Sequence, residues 1–223
     1  MERVLSQTIL NLSQIESVGR REATKDFSLA TIDGNIKCRL HQTALGDAAI
    51  LWVFGAGGGM GGPAGGVYER LANDFQNSQI TSLQLDYRRP GYFQDCVKDV
   101  LEGVGYLSGI GKKRIVLVGH SFGGAVAISA GISSRNVIAV AALSSQTKGS
   151  ENVSQLSPRP LLLIHGSADE TLPDSCSIYI YALAHEPKEL ILYPAGRHGL
   201  DECRSELDLD LKKWLRNLLA INA

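Results

Sequence analysis

The sequence predicts an α/β fold with a mostly parallel sheet of about eight strands and helices on both faces. Two observations lead to this fold class. Short apolar runs rich in Val, Ile and Leu recur along the chain, which is typical of strands covered on both faces of a parallel sheet. Amphipathic helical segments alternate with these runs and supply the crossover connections that parallel strands require. With 223 residues, the chain is long enough for one such domain with a large core.

Residues 1–25 are predicted to be an N-terminal amphipathic extension, and residues 26–223 to form a single α/β domain. The apolar residues of the extension fall on one helical face: Val4, Leu5, Ile9, Leu12 and Ile15. Such a face predicts packing against the domain or against a partner, and a lid over the functional site is the alternative. The opening of the sequence lacks the apolar stretch of a signal peptide.

The sheet is predicted to begin with an antiparallel hairpin, because Asp33-Gly34 is a frequent hairpin turn. The predicted strands are residues 27–31, 36–41, 50–54, 81–86, 115–119, 137–143, 161–166 and 189–193. The predicted helices are residues 67–75, the segment with an apolar face from Phe93 to Leu107, and residues 125–134, 175–184 and 204–219. A glycine-rich loop covers residues 55–66.

One junction between a strand and a helix carries a reactive side chain. After the strand 115–119, Gly119-His120-Ser121-Phe122-Gly123 matches G-x-S-x-G, and a small, apolar helical segment follows. Such a sharp turn lifts the serine hydroxyl out of the end of the strand, and a Cβ at either glycine would collide with the neighbouring strand or helix. The amide of Phe122 then lies at a helix N-terminus, which favours an anion. A purely structural glycine-rich turn is the alternative.

An acid and a histidine follow this serine, each in the loop after a buried strand. Asp169 follows the strand 161–166, and His198 follows the strand 189–193. Because the carboxyl ends of parallel strands meet at one edge of a sheet, these side chains are expected to lie near Ser121. Glu170 and Asp174 are adjacent alternatives for the acid, and Asp174 better fits the start of the next helix.

Three stretches resemble the α/β-hydrolase fold family, and the resemblance runs from about residue 50 to the C-terminus. They read G-H-S-F-G-G from Gly119, H-G-S-A-D-E-T-L-P from His165, and A-G-R-H-G from Ala195. The serine, acid, histidine order is also that of this family. The resemblance implies a compact serine hydrolase of the esterase or dienelactone-hydrolase-like branch, with Ser121 as nucleophile, Asp169 as acid and His198 as base.

The glycine-rich loop is implied by the same resemblance to complete an oxyanion hole. It holds eight glycines in twelve residues, so its backbone can approach a substrate closely. The amides of Ala56 and Phe122 are the expected donors, with Gly57 as an alternative to Ala56 because Phe54 stands where the family often has histidine. The predicted substrate-binding residues are Gly55, Gly57 and His120, the last with its side chain turned sideways into the fold.

The same loop allows a different interpretation, a dinucleotide-binding oxidoreductase. Gly57-x-Gly59-x-x-Gly62 fits G-x-G-x-x-G, and Asp86 ends the next strand. Pro63 directly after the third glycine and the strands that precede the loop count against this interpretation. Asp86 is instead predicted to be structural and to cap the loop that follows it, residues 87–91.

The segment from Leu143 to Leu161 is too short for a helical cap domain, since only 17 residues lie between them. The site is therefore predicted to be open and covered only by loops.

The remaining histidines and two arginines are assigned structural roles. Arg88 and Arg89 are predicted to be paired or solvated, with an anionic substrate as the alternative partner. His165 is predicted to be a hydrogen-bonded core residue, while His41 and His185 look peripheral. No cluster of these residues has the spacing of a metal site.

The net charge and the cysteine content limit which kinds of binding partner and which cellular location are expected. The net charge of −1 predicts neither nucleic-acid nor membrane binding. Four scattered cysteines without a C-x-x-C pattern predict reduced thiols and a cytoplasmic location. The expected partner is a small-molecule acyl substrate, and neither a cofactor nor a metal is expected. The sequence does not decide between a monomer and a homo-oligomer.

The function predicted from the sequence is hydrolysis of a small carboxylic ester or thioester through an acyl-enzyme on Ser121. Three alternatives from other classes remain open: an acyltransferase or lyase with the same residues, a receptor-like protein with little turnover, and the oxidoreductase described above.

Overall fold

The computed structural model describes residues 24–219, which fold into an eight-stranded sheet with five α-helices. Residues 1–23 and 220–223 lie outside this range. The predicted amphipathic extension, and its alternative role as a lid, therefore fall outside the described residues.

The sheet is mostly parallel, as predicted. Its strands are β1 (Lys25–Thr31), β2 (Gly34–His41), β3 (Ala48–Val53), β4 (Thr81–Asp86), β5 (Arg114–His120), β6 (Val137–Leu143), β7 (Leu161–Gly166) and β8 (Lys188–Tyr193). Their order across the sheet is β1-β2-β4-β3-β5-β6-β7-β8. The first two strands form the predicted antiparallel hairpin and β2 also pairs antiparallel with β4, whereas every other pair is parallel.

Five helices connect these strands: α1 (Pro63–Asn77), α2 (Phe93–Gly109), α3 (Phe122–Ser133), α4 (Ser175–Leu183) and α5 (Arg204–Leu219). The start of α1 is irregular, because Ala64, Gly65 and Gly66 have left-handed backbone angles. The regular part of α1 therefore begins at Val67, where the sequence predicted the helix to start. None of the described helices is both long and apolar enough to cross a membrane.

Two apolar cores cover the two faces of the sheet. Alternate residues of β3 point to opposite faces: Leu51 and Val53 pack in the core under α2, α3 and α4, and Ile50 and Trp52 pack in the core under α1 and α5. All six residues of β3 are buried, which explains why this strand reads as a continuous apolar run.

The strand order places a crevice at the carboxyl ends of β3 and β5. From β3 the chain passes to β4 on one side, and later returns to β5 on the other side. Loops that leave neighbouring strands in opposite directions open a crevice between them, where ligands bind in open α/β sheets. Between β6 and β7 the chain forms only one short 3₁₀ helix, Val153–Leu156. The described residues therefore contain no cap domain over this crevice, as predicted.

Candidate active site

Ser121 lies in the sharp turn between β5 and α3. Its backbone angles are φ 59° and ψ −125°, a strained conformation for a residue with a side chain. Its N–H donates to the carbonyl of Leu143 at 2.8 Å, and its carbonyl accepts from the N–H of Gly124 at 3.0 Å. The turn is therefore held from β6 on one side and from α3 on the other, with the serine half-buried at the edge of the crevice.

The two glycines of the motif are required by close backbone contacts. A Cβ on Gly119 would lie inside van der Waals contact of the carbonyl of Gly123, in the first turn of α3. A Cβ on Gly123 would collide with the carbonyl of Phe54, at the end of β3. Both predicted collisions, one with the helix and one with the neighbouring strand, are confirmed.

Asp169 lies in the loop after β7 and is buried. Its Oδ1 accepts hydrogen bonds from the N–H groups of Thr171 at 2.8 Å and Leu172 at 2.9 Å. Burial raises the pKa of Asp169, but the N–H of Leu172, the His198 side chain and the N–H of Thr171 outweigh burial and hold this pKa below its ordinary value. The carboxylate is therefore ionised at neutral pH.

His198 connects the acid to the serine. Its Nδ1 lies 2.8 Å from Asp169 Oδ2, and its Nε2 lies 3.0 Å from Ser121 Oγ. Because the ionised carboxylate can only accept, Nδ1 carries the hydrogen and the lone pair of Nε2 faces the serine hydroxyl. The structure thus places the three predicted side chains in one hydrogen-bonded line, with the His198 side chain 24% exposed.

The loops that carry the acid and the histidine are fixed to each other by their backbones. The N–H of Ala168 donates to the carbonyl of Gly196 at 2.9 Å. A Cβ on Gly166 would overlap the same carbonyl. The competing acids are not in the line: Glu170 is exposed, and Asp174 stands at the predicted N-cap of α4 without a capping hydrogen bond.

His120 is turned toward the His198 loop. Its Nε2 donates to the carbonyl oxygen of His198 at 2.8 Å, and the centres of the two rings are 4.9 Å apart. Burial lowers the pKa of His120 to about 4, and the neighbouring His198 adds to this effect, although the hydrogen bond to the His198 carbonyl opposes it. His120 therefore stays neutral, and its hydrogen bond holds the backbone of His198 in place.

The glycine-rich loop lies against Ser121. A Cβ built on Gly55 would be 3.7 Å from the Cβ of Ser121, so this glycine is in contact with the serine turn. The N–H of Gly58 donates to the carbonyl of Gly55 at 3.1 Å, which closes a tight turn with Ala56 and Gly57 exposed between them. Across the crevice, Phe122 is the first residue of α3, where no earlier turn of the helix offers a carbonyl to its N–H.

Two tyrosines that the sequence analysis did not single out anchor the end of β3. The hydroxyl of Tyr68, from α1, donates to the carbonyl of Val53 at 2.9 Å. The hydroxyl of Tyr87 donates to the carbonyl of Phe54 at 2.9 Å. A buried tyrosine hydroxyl needs such a partner, and these two fix the backbone from which the glycine-rich loop departs.

The polar residues on which the alternative interpretations depended form hydrogen bonds or ion pairs within the protein. They are Asp86, Arg88 and Arg89. Asp86 Oδ1 accepts from the N–H of Gly59 at 2.7 Å, so Asp86 is structural as predicted, but this hydrogen bond holds the glycine-rich loop, whereas the prediction concerned the loop 87–91. Arg88 pairs with the fully buried Asp99 at 2.6 Å. Arg89 is also paired, with a carboxylate of α2 at 2.9 Å.

The prediction that His41 is peripheral is wrong. The structure buries its side chain completely at the end of β2, where Glu69 of α1 and Gln84 of the neighbouring strand β4 lie against the ring. Its ring lies 3.2 Å from the hydroxyl of Thr24 and 3.3 Å from the amide of Gln84. The other two predictions hold, since His165 is a buried, hydrogen-bonded residue and His185 is exposed. Residues 24–219 contain no cluster of three or more His, Cys, Asp or Glu side chains arranged to hold a metal ion.

A cleft of about 580 Å³ lies beside the serine turn. Its lining includes Phe93 and Phe122, whose rings are 5.8 Å apart, and the polar residues Gln146 and Lys148. The N–H of Gln146 lies 3.5 Å from the carbonyl of Ser121, so the cleft adjoins the backbone of the serine turn, although none of the three side chains of the line is part of its lining.

A protein-family model matches most of the chain. The model of the alpha/beta hydrolase family matches residues 55–215, a range that contains the serine, the acid and the histidine of the line. Among curated proteins, the uncharacterized protein YfhR of Escherichia coli strain K12 is 33% identical over 127 residues, which cover 47% of this chain and 45% of that protein. YfhR of Salmonella typhi is 25% identical over 193 residues, 68% of this chain and 64% of that protein. The chain thus spans less than two thirds of the length of these relatives.

Solved structures share the fold at low sequence identity. A dienelactone hydrolase from Anabaena variabilis superimposes with a TM-score of 0.75 at 15% identity, over 89% of this chain and 99% of that one. The α/β hydrolase GrgF from Penicillium superimposes with a TM-score of 0.74 at 16% identity, over 89% and 100% of the two chains. Est1E from Butyrivibrio proteoclasticus gives a TM-score of 0.74 at 14% identity, over 87% and 99%.

Proposed function

The chain belongs to the α/β hydrolase family, and we propose that it is a serine hydrolase that cleaves a small carboxylic ester or thioester through an acyl-enzyme on Ser121. The observation that carries this proposal is the hydrogen-bonded line from Ser121 Oγ through His198 to Asp169, with distances of 3.0 Å and 2.8 Å. Among the structural relatives, a dienelactone hydrolase supports hydrolase activity.

In the proposed first step, the Ser121 oxygen attacks the substrate carbonyl carbon while its proton moves to His198 Nε2. A serine hydroxyl is a weak nucleophile at its ordinary pKa, so this base is what makes attack possible. Asp169 holds the Nδ1–H form of the imidazole and stabilises the imidazolium that forms. The protonated His198 then gives its proton to the leaving alcohol or thiol, and the acyl group stays on Ser121.

The negative oxygen of the tetrahedral intermediate is proposed to be held by the N–H groups of Phe122 and Ala56. Phe122 offers the first amide of α3, and Ala56 lies in the tight turn that packs against Ser121. One donor of this kind contributes about 3–4 kcal/mol to transition-state stabilisation. Water, activated by His198 in the same way, then releases the acid and restores the serine.

The size of the acyl group follows from the open site. The cleft of about 580 Å³ beside Ser121 is within the range of small-molecule sites. Each buried methylene contributes about 0.8 kcal/mol to binding, but no cap domain covers the site among the described residues, so the far part of a long acyl chain would stay in water and gain nothing. Short acyl chains are therefore the expected substrates.

A panel of p-nitrophenyl esters with acetyl, butyryl, octanoyl and palmitoyl groups tests this proposal. We expect kcat/KM to be highest for the acetyl or butyryl ester and to fall for the two longer chains. Matched thioesters should be cleaved, and matched anilides much more slowly, because an amine is a poorer leaving group. The Ser121→Ala variant serves as the blank, and a kcat/KM that rises steadily to palmitoyl, or ester cleavage that this variant retains, would reject the proposal.

A further inference from the structure

His165 is fully buried directly behind the acid of the proposed site. It is the residue before Gly166 at the end of β7, and its side chain has no exposed surface. The ring lies between Ser177 of α4 and the loop that carries Asp169. The mechanism proposed above does not use this histidine.

The neighbours of His165 determine where its hydrogen lies. Its Nε2 is 3.0 Å from the carbonyl oxygen of Leu172, which can only accept a hydrogen bond, so Nε2 is the donor. Its Nδ1 is 2.7 Å from the hydroxyl of Ser177. When the ring is neutral, Nδ1 carries a lone pair to which the buried hydroxyl of Ser177 donates. Both ring nitrogens are used, so the ring is held in one orientation.

Through Leu172, this fixed ring reaches the acid. The carbonyl of Leu172 accepts from His165, and the N–H of Leu172 donates to Asp169 Oδ1 at 2.9 Å. The Nε2–H edge of the ring also lies 3.3 Å from Asp169 Oδ2, the oxygen that meets His198 Nδ1 at 2.8 Å. The ring thus bounds one side of the carboxylate and holds the backbone that binds the other oxygen.

We propose that His165 is a positioning residue for the proposed hydrolysis: it holds the turn 169–172, and through it the Asp169 carboxylate, in the orientation that meets His198. This proposal rests on the proposed function. His165 does not touch the substrate, so its loss should misplace the acid without changing the substrate contacts. A displacement of the order of 1 Å in such a group lowers the rate about 10- to 100-fold.

The test compares His165→Leu, which removes both hydrogen bonds at similar volume, with His165→Gln, whose amide can still donate to the Leu172 carbonyl. We expect His165→Leu to lower kcat about 10-fold or more with KM within about twofold, and His165→Gln to recover most of the loss. The matched control is His185→Leu, the same substitution at an exposed histidine, which should leave both constants unchanged. Urea unfolding of each variant gives the fraction of folded protein, so that unfolded protein is not counted as slow enzyme.

An unchanged kcat in folded His165→Leu, or a loss in His165→Gln as large as in His165→Leu, would overturn the proposal. Should His165→Leu not fold, Ser177→Ala replaces it: this variant removes the donor to Nδ1 and should lower kcat a few-fold at constant KM. An unchanged kcat in both Ser177→Ala and His165→Gln would then contradict the proposal.

One readout requires no turnover and separates this proposal from the proposed function. The Nδ1 proton of His198, in its bond with Asp169, is expected to give a downfield proton resonance by NMR. This resonance should move or broaden in His165→Leu and return in His165→Gln. If it is unchanged in His165→Leu, the positioning role is wrong even if the protein hydrolyses esters. If it moves while the unmodified protein cleaves no ester, the positioning role stands and the proposed function fails.

Discussion

Replacing Ser121 with alanine is expected to lower kcat for a short-chain ester about 10⁵-fold or more, and replacing His198 with alanine is expected to cost about as much. The double variant should lose little beyond either single variant. The reason is the hydrogen-bonded line: His198 Nε2 faces the Ser121 hydroxyl at 3.0 Å, so without the serine there is no proton for the histidine to take. Steady-state kinetics of the three variants give the comparison.

The control for this prediction is Ser133→Ala, which removes an exposed hydroxyl from the last turn of α3, the helix that follows Ser121. Its kcat should match that of the unmodified protein. Losses that add between Ser121→Ala and His198→Ala would mean that the two residues act separately, and a Ser121→Ala variant with ordinary activity would remove the serine from the mechanism.

Replacing Gly123 with alanine is expected to destabilise the folded protein by about 3 kcal/mol or more. A Cβ at this position would overlap the carbonyl of Phe54, which is backbone and cannot rotate away. The hydroxyl of Tyr87 also holds that carbonyl at 2.9 Å, so relief would require moving the end of β3 and its core contacts. The measurement is the free energy of unfolding from urea denaturation.

Gly105→Ala provides the matched control, because the same methyl group added to Gly105 in α2 meets no atom within 4 Å. A glycine in a helix interior costs about 0.5–1 kcal/mol relative to alanine, so this variant should be slightly more stable than the unmodified protein. Equal unfolding free energies for the two variants would show that the close approach of α3 to β3 is not tight.

The fold and the three side chains of the line were predictable because each depends on a local pattern. Strands such as β3 and β5 are covered on both faces, and this forces a continuous apolar run that no amphipathic helix would have. The turn at Ser121 depends on glycines within two residues of it. Asp169 and His198 each follow a buried strand, and parallel strands bring such loops to one edge.

The hydrogen bonds and packing contacts around the site were not predictable from the sequence, because the residues that form each contact are far apart in the chain. The hydroxyl of Tyr68 reaches the carbonyl of Val53 in β3 only because α1 packs against the sheet. No local pattern around either residue predicts this hydrogen bond. The burial of His41 depends on β4 and α1, which follow it in the chain. The left-handed residues at the start of α1 were predicted only as part of a glycine-rich loop. The N–H of Ala64 donates to the carbonyl of Gly199, in the loop after β8, and this contact is distant in sequence.

The most direct test of the central claim is covalent capture of the activated serine. The folded protein is treated with a fluorophosphonate, digested, and examined by mass spectrometry, beside a heat-denatured sample and the His198→Ala variant. An activated Ser121 at the end of the hydrogen-bonded line should carry the phosphonyl group as the single modified serine, and both control samples should show little label. Absence of label on the folded protein, or label on a different serine, would contradict the proposed acyl-enzyme mechanism.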